Sequence, residues 1–184
     1  SQERVFVRSR YLMGTLVGIR ARGRDEAGTQ AAINAAFDEI ARIERLMSHW
    51  RDDSQLARIN AQAGIAPVAV APEVFEVIRR ALGASRVTGG AFDITVASVG
   101  ALWRIDGENP RVPSKGEIRK ALAKVGWRHV RLDEKARTVF LDEPGVRIGL
   151  GGIAKGYAVD RAITVLGARG VRAAIIDAGG DTGI

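Results

Sequence analysis

A long amphipathic stripe between Asp25 and Trp50 is the feature that most constrains the fold of this chain. Its apolar residues recur at steps of three and four positions, as Ile33, Phe37 and Ile40 illustrate. That spacing places them on one face of an α-helix about seven turns long. Because a helix with one apolar face must bury it against other elements, the sequence predicts a sheet beneath it.

Shorter patterns on both sides of this stripe predict strands intermixed with helices. Extended segments are predicted at Val5–Val7, after Met13-Gly14-Thr15, and at 68–70, 130–132, 138–141, 146–148 and 173–177, the last one buried. Helices are predicted from Ser54 to Asn60, from Pro72 to Gly89-Gly90, from Ser114 to Gly126, and over Ile153–Ala168. This mixture is typical of the α+β class, with a mixed or antiparallel sheet packed by helices. The length of 184 residues predicts a single domain, 1–184.

Composition excludes several kinds of site. The chain has no Cys, which excludes disulfides, thiolate metal sites and a Cys nucleophile. No window approaches 18 consecutive apolar residues, so the sequence predicts no membrane-spanning segment. The two histidines, His49 and His129, stand 80 residues apart with no obvious partner. They indicate neither a paired-His metal site nor a general base.

The net charge of +7 raises the possibility of a nucleic acid or another anionic partner. Residues 104–137 account for +5 of it, with ten Lys and Arg against five Asp and Glu. Single-strand binders interleave cations with aromatic residues, whereas this region offers only Trp127, with Trp103 directly before it. We interpret its cations as the solvated face of a short helix and predict no nucleic-acid partner.

The segment Gly149–Gly156 places glycines between a predicted strand and a helix, with Lys155 in the first helical turn. Free N–H groups at a helix N-terminus, and missing side chains beside them, form a seat for a phosphate or pyrophosphate. The alternative is a tight turn whose glycines permit positive φ, with Lys155 a surface cation. The spacing leaves both interpretations open. A Walker A loop is excluded, because no Gly-Lys-[Ser/Thr] is present.

The same segment also half fits the first βαβ unit of a dinucleotide-binding fold. Gly149, Gly151 and Ala154 match its spacing, and the next predicted strand ends on Asp177. Only seven residues follow Asp177, although that fold needs further parallel strands, and Asp177 lies 28 residues beyond Gly149. Strands that are not parallel on the two sides of the turn would exclude this alternative.

Two other segments combine polar and apolar groups, and each has two interpretations. Asp93, which follows Gly89-Gly90, either caps a helix beginning near Val96 or presents its carboxylate to a ligand. Trp50, at the end of the long stripe, either stacks on a planar ring or belongs partly to the core.

Five segments, in this order and at this spacing, resemble the ApbE family of FAD:protein FMN transferases. They are Met13-Gly14-Thr15, Met47–Arg51 with Ser54 and Asn60, Gly90–Thr95, Gly151–Asp160 and Asp177–Asp181. The most specific is GGIAKGYAVD at 151–160. The resemblance implies a T-fold-like flavin transferase architecture of which these residues form a truncated N-terminal portion. It also implies that side-chain metal ligands and catalytic residues lie in the part that follows.

The resemblance further implies an activity. Family members bind FAD, use Mg²⁺, and transfer the FMN moiety to a Thr or Ser hydroxyl of a target flavoprotein, releasing AMP. Some members hydrolyse FAD to FMN and AMP, so an FAD-binding or FAD-hydrolysing scavenger is the alternative. The implied location is periplasmic or at the outer face of the bacterial cytoplasmic membrane, with a lipid anchor in the precursor.

Carried over residue by residue, the resemblance implies a set of FAD contacts and one metal ligand. The FAD contacts are Met13, Trp50, Ala91, Phe92, Asp93, Gly149 and Lys155, and a backbone ligand of Mg²⁺ is Gly152. The family usually has Asp at the position of Gly149, so a carboxylate contact to the cofactor is lost or replaced there. Mg²⁺ held by oxygen ligands while it bridges a pyrophosphate is ordinary chemistry for a hard cation.

Overall fold

The computed structural model describes residues 2–103 and 110–184. Its strands and helices are β1 (Arg4–Leu12), β2 (Thr15–Gly23), α1 (Glu26–Met47), α2 (Gln55–Ala61), β3 (Val68–Ala69), α3 (Pro72–Val87), α4 (Ala97–Gly100), α5 (Lys115–Leu122), β4 (Val130–Asp133), β5 (Thr138–Leu141), α6 (Ala154–Ala168), β6 (Ala174–Ala178) and β7 (Asp181–Gly183). Two short 3₁₀-helices cover Ile94–Val96 and Trp127–His129. The chain divides into two compact units, one formed by Ser1–Leu46 with Ile153–Ile184 and the other by Met47–Gly152. The prediction of one domain over 1–184 stays a prediction.

The first unit is an antiparallel sheet with the strand order β1-β2-β6-β7, covered on one face by α1 and α6. The Arg10 guanidinium of β1 lies 4.8 Å from the centre of the Phe37 ring, which places α1 over this face. A Cβ on Gly183 of β7 would lie 2.5 Å from Cγ1 of Val159, so α6 packs directly on the β7 backbone. The apolar stripe of α1 is buried, as its periodicity predicts: Ile33, Phe37, Ile40 and Ile43.

The second unit contains an antiparallel sheet with the strand order β3-β5-β4, together with α2, α3, α4 and α5. Ser54 caps α2 as predicted, and its Oγ accepts the Ala57 N–H at 2.9 Å. Pro72 occupies the first turn of α3, where its missing N–H has no helical partner to lose. Ser114 and Glu117 form a reciprocal capping box at the start of α5.

The α+β class with antiparallel sheets packed by helices is confirmed. The strand pairs recorded within the described ranges are all antiparallel. A dinucleotide-binding βαβ unit requires parallel neighbours, so that alternative for the glycine segment is excluded.

The predicted strand at 146–148 is wrong, because this segment pairs with no strand of the described chain. Side chains satisfy its backbone instead. The Asn60 amide donates to the Ile148 carbonyl at 3.0 Å and accepts the Ile148 N–H at 2.8 Å. Oγ of Ser98 accepts the Arg147 N–H at 2.9 Å and donates to the Arg147 carbonyl at 3.2 Å. Buried Val146 and Ile148 produce strand-like alternation without a strand.

Two helices end earlier than predicted. The helix α1 ends at Met47 rather than Trp50, because the hydroxyl of Ser48 accepts the Trp50 N–H at 3.3 Å and competes with helical bonding. The helix α5 ends at Leu122 rather than Gly126, and the chain continues through turns closed by bonds between residues three apart.

The strand β6 is half-buried rather than buried. Ile176 and Ala178 face the helices, whereas Ile175 on the opposite face is 43% exposed. Buried and exposed residues alternate along β6, because helices of the described chain cover only one face of this sheet. The apolar run of β6 therefore does not require burial on both faces.

The cations of the basic region are solvated on α5, whereas Lys124, which follows α5, is half-buried and paired with Glu143. Lys115, Arg119 and Lys120 are all exposed. Its first six residues, 104–109, lie outside the described residues. In the two described ranges, no helix combines the length and the apolar character needed to cross a bilayer.

Candidate functional site

Two tight turns of the first unit lie against each other. Met13 and Gly14 form the turn between β1 and β2, with φ of +52° and +73°. Positive φ at both positions is what a two-residue hairpin turn requires. Gly179 and Gly180 form the turn between β6 and β7, and a Cβ on Gly179 would lie 2.6 Å from Oγ1 of Thr15. The fold therefore joins the first and the last of the five motif segments.

Met13 is held in an unfavourable backbone conformation. Non-glycine residues rarely adopt the left-handed region, which costs about 1 kcal/mol for a side chain of this kind. Such strain is concentrated at binding and catalytic sites, where the surrounding structure maintains it. The half-buried Met13 side chain at this turn is consistent with its predicted place at the cofactor.

The N-terminus of α6 has the properties of an anion-binding site. Ile153 is its N-cap residue and supplies no side-chain hydrogen bond to the first N–H groups. Lys155 is half-buried in the first turn and has no ion pair within the described ranges. A Cβ on Gly156 would lie 3.8 Å from Oδ1 of Asp181, so this carboxylate reaches the same turn. Within the first unit, Asp181 thus lies beside the first turn of α6, and the β6–β7 turn that precedes Asp181 contacts Thr15.

A cluster of predicted residues lies in the second unit. A Cβ on Gly152 would lie 3.1 Å from Cε2 of Phe92, so the ring packs directly on the Gly152 backbone. The Gly149 N–H donates to the Ile94 carbonyl at 2.9 Å, and a Cβ there would lie 3.1 Å from Cβ of Ala97. The structure therefore brings Phe92, Gly149 and Gly152 together, although about sixty residues separate the two segments.

The glycines of the 149–156 segment serve close approach rather than unusual backbone angles. Gly149, Gly151, Gly152 and Gly156 are all absent from the positive-φ positions of the described chain. The interpretation of a turn whose glycines permit positive φ is therefore wrong. A Cβ on exposed Gly151 would meet no atom within 4 Å, which leaves its backbone open to an incoming group.

Asp93 acts as a cap, the first of its two predicted interpretations. Its side chain is the N-cap of the 3₁₀-helix Ile94–Val96 and accepts the Thr95 N–H at 2.8 Å. It also accepts the Thr95 hydroxyl at 2.6 Å and the Trp127 N–H at 2.7 Å. Sequence reasoning missed the partner loop at Trp127, because nothing local connects it with Asp93. The contact of Asp93 with FAD stays a prediction.

Trp50 is not part of the core. Its side chain is 84% exposed, and its ring lies 4.5 Å from that of His49, centre to centre. Partial burial lowers the pKa of His49, and the positive charge of Arg147 lowers it further. A neutral imidazole beside an exposed indole is a surface on which a planar ring can stack.

One cavity in the first unit lies at the other end of β2 from Met13. It measures about 380 Å³ and is lined in part by Arg22, Arg24, Arg169 and Arg172. Glu3 lies 3.5 Å from Arg22 and 3.6 Å from Arg24, so part of this positive charge is neutralised. None of the sequence-predicted site residues lines this cavity.

His129 has a partner that the sequence did not reveal. Its Nδ1 lies 2.8 Å from Oδ1 of Asp142, whose Oδ2 accepts hydrogen bonds from Arg131 at 2.9 and 3.1 Å. The hydrogen bond with His129, and secondarily that with Arg131, lowers the pKa of Asp142. This group joins the end of a 3₁₀-helix to the segment after β5, and it indicates a structural role.

We expect Asp142→Asn to reduce the free energy of unfolding by about 1 kcal/mol near neutral pH. Because the folded pKa of Asp142 is below the unfolded value, its stabilisation is present above about pH 4 and is lost as the pH falls through the folded pKa. Urea unfolding of both proteins across this range measures the difference. A difference that does not shrink at low pH would contradict the assignment.

The sequence is similar to those of proteins with known names. The ApbE family model matches residues 13–184. An FAD:protein FMN transferase of Klebsiella pneumoniae (strain 342) is 38% identical over 181 residues, covering 98% of this chain and 56% of the relative. One from Treponema pallidum (strain Nichols) is 34% identical over 184 residues, covering 97% of this chain and 51% of the relative.

Solved structures show the same architecture. The ApbE protein from Thermotoga maritima matches with a TM-score of 0.87 at 32% identity, over 96% of this chain and 57% of that chain. The flavin transferase ApbE from Vibrio cholerae matches with a TM-score of 0.85 at 27% identity, over 97% of this chain and 58% of that chain. The chain spans about half the length of the relatives it matches.

Proposed function

Because this chain belongs to the ApbE family, we propose that it binds FAD as the N-terminal part of an FAD:protein FMN transferase. The observation that carries the proposal is the N-terminus of α6, which has no side-chain cap, with Lys155 in its first turn and no ion pair to Lys155 from the residues that the structure describes. Helix N–H groups and an ammonium are the donors that a pyrophosphate needs. The names of the relatives support FAD as the nucleotide.

The proposed reaction transfers the FMN moiety of FAD to a Thr or Ser hydroxyl of a target flavoprotein and releases AMP. The hydroxyl oxygen bonds to the flavin-side phosphorus, whose bond to the AMP oxygen breaks, and AMP leaves with that electron pair. The hydroxyl proton passes to solvent or to a base that we assign to no residue of this chain. Lys155 and the α6 N–H groups would bind phosphate oxygens and reduce their repulsion of the incoming hydroxyl.

Mg²⁺ dependence is a further part of the proposal. Bound Mg²⁺ would supply neutralisation of charge at the pyrophosphate, and the family resemblance assigns it the carbonyl of Gly152. Within the described ranges, no group of three or more His, Cys, Asp or Glu side chains is placed to hold a metal ion. One carbonyl does not by itself make a Mg²⁺ site. A periplasmic or outer-face location likewise rests on family membership.

A titration with FAD, FMN and NAD, each with and without Mg²⁺, tests the proposal. The fluorescence of the three tryptophans reports binding. We expect FAD to bind more tightly than NAD, because the motif segments match flavin transferases. Equal binding of NAD, or no binding of FAD, would contradict the proposal. Adding a Thr-containing acceptor flavoprotein, followed by mass spectrometry, distinguishes covalent FMN transfer from hydrolysis to free FMN and AMP.

Trp50→Ala is expected to raise the Kd for FAD about fivefold and to change the free energy of unfolding by less than about 0.5 kcal/mol. The exposed indole contributes stacking to the ligand and little to the core. Equilibrium dialysis measures the affinity instead of fluorescence, because the substitution removes one of the three tryptophans that report binding. Trp50→Phe is the control and should retain most of the affinity. If Mg²⁺ no longer changed the FAD affinity of Trp50→Ala, the proposed stacking of the flavin ring on Trp50 would be contradicted.

A further inference from the structure

Asp93 and Thr95 form a hydrogen-bond network that joins two loops of the second unit. Oδ1 of Asp93 accepts the N–H and the hydroxyl of Thr95, while Oδ2 accepts the Trp127 N–H. Oγ1 of Thr95 in turn accepts the Gly126 N–H at 2.7 Å. A single carboxylate therefore holds the starts of both 3₁₀-helices, and the Thr95 hydroxyl is a donor on one side and an acceptor on the other.

Thr95 is buried and Asp93 is half-buried, and the side chains of both make hydrogen bonds within the protein. Thr95 has no exposed surface, and both oxygens of Asp93 already accept hydrogen bonds. The side-chain oxygens of this pair are thus occupied by the protein itself, which points to a role in holding the backbone. Bonds of this kind to a carboxylate are about twice as strong as neutral ones.

The second loop supports the predicted FAD-contact segment from one side. A Cβ on Gly90 would lie 4.0 Å from Cδ1 of Trp127, so the loop passes over this indole. The guanidinium groups of Arg86 and Arg128 lie 5.8 and 4.5 Å from the centre of the Trp127 ring and add cation–π attraction. The Trp127 indole therefore packs against Gly90, and the Asp93 carboxylate holds the Trp127 backbone N–H.

We propose that Thr95 is a positioning residue for FAD binding. Its hydroxyl joins Asp93 to the Gly126 N–H, beside the direct bond from the Trp127 N–H to Asp93. In this way it holds the Ala91–Phe92 backbone in the conformation that receives the nucleotide. Glycine-rich segments lose much conformational freedom on binding, and fixing them beforehand raises affinity. This inference rests on the proposed function and deepens it.

Thr95→Val tests the role, because valine has the same shape and lacks the hydroxyl. We expect its Kd for FAD to rise about tenfold, whereas Thr95→Ser, which keeps the hydroxyl, should stay within about twofold of the wild type. Ser85→Ala is the matched control. Ser85 is equally buried, and its hydroxyl donates to the Ala81 carbonyl within α3 rather than to either loop. Should Thr95→Val fail to fold, Asp93→Asn takes its place in the hydrogen-exchange measurement below but not in the affinity measurement, because Asp93 is itself a predicted FAD contact.

Hydrogen exchange without ligand separates this inference from the proposed function. We expect the backbone N–H groups of residues 89–97 and 124–129 to exchange faster in Thr95→Val, and to remain as in the wild type in Thr95→Ser and Ser85→Ala. If the wild type binds no FAD, the proposed function fails, and exchange alone decides whether Thr95 couples the two loops. Unchanged exchange in Thr95→Val, or an equal loss of FAD affinity in Ser85→Ala, would overturn the inference.

Discussion

Replacing Lys155 by Ala is expected to raise the Kd of this chain for FAD by about 10- to 100-fold. A hydrogen bond from a charged donor contributes about 1.5–3 kcal/mol, which corresponds to that range. Lys155 is half-buried and has no ion pair in the described chain, so its ammonium breaks no ion pair there when it binds a phosphate. The uncapped N–H groups of α6 remain, which is why we expect weakened binding rather than none.

Two variants serve as controls for Lys155→Ala. Lys120→Ala removes the same charge from an exposed position on α5, outside the predicted FAD contacts, and should leave the Kd unchanged. Lys155→Arg keeps the charge and should recover most of the affinity. The dependence of the Kd on salt should weaken in Lys155→Ala, because one fewer charge attracts the anion. An unchanged Kd would remove Lys155 from the site, and an equal loss in Lys120→Ala would indicate a nonspecific charge effect.

Gly64→Ala is expected to lower the free energy of unfolding by about 3 kcal/mol or more, without any direct effect on ligand contacts. Gly64 has a φ of +72°, which an alanine adopts at a cost of about 1–2 kcal/mol. Its Cβ would also lie 2.5 Å from the backbone nitrogen of Pro144. The chain cannot easily move away, because the Gly64 N–H donates to the Leu141 carbonyl at 2.8 Å. Overpacking against backbone adds to the strain.

Gly83→Ala is the matched control for this prediction, and its expected effect has the opposite sign. Gly83 lies inside α3, and a Cβ there would meet no atom within 4 Å. Alanine is favoured over glycine in a helix interior by about 1 kcal/mol, so the free energy of unfolding should rise. Urea unfolding of the two variants and the wild type measures both changes. Stabilisation by Gly64→Ala, or loss of more than 1 kcal/mol in Gly83→Ala, would contradict the described packing.

Local patterns predicted the elements that local forces form. The stripe of α1, the caps at Ser54 and Ser114 and the Pro72 start of α3 depend on residues within four positions of one another. Boundaries were less predictable. The α1 helix ends early because the Ser48 hydroxyl competes with helical hydrogen bonding. The spacing of apolar residues carries no information about this competition.

Some features of the candidate site could likewise be predicted from the sequence, and others could not. The family, the segment with Lys155 and the segment with Asp93 could be identified from the order and spacing of residues. The bond between Asp93 and Trp127 could not, because these residues are 34 positions apart. The packing of Phe92 on Gly152 and the pairing of His129 with Asp142 were hidden for the same reason.

Local patterns and motif spacing were sufficient to identify the class of fold and the family, and they predicted the residues that would bind a pyrophosphate. Tertiary structure alone decided that 146–148 is no strand, since Asn60 and Ser98 satisfy its backbone, and that the glycines at 149 and 152 serve close packing. The physical reason is the range of the interactions. Helix and cap bonds join residues within a few positions, whereas buried polar groups outside regular elements take any partner that folding brings near them.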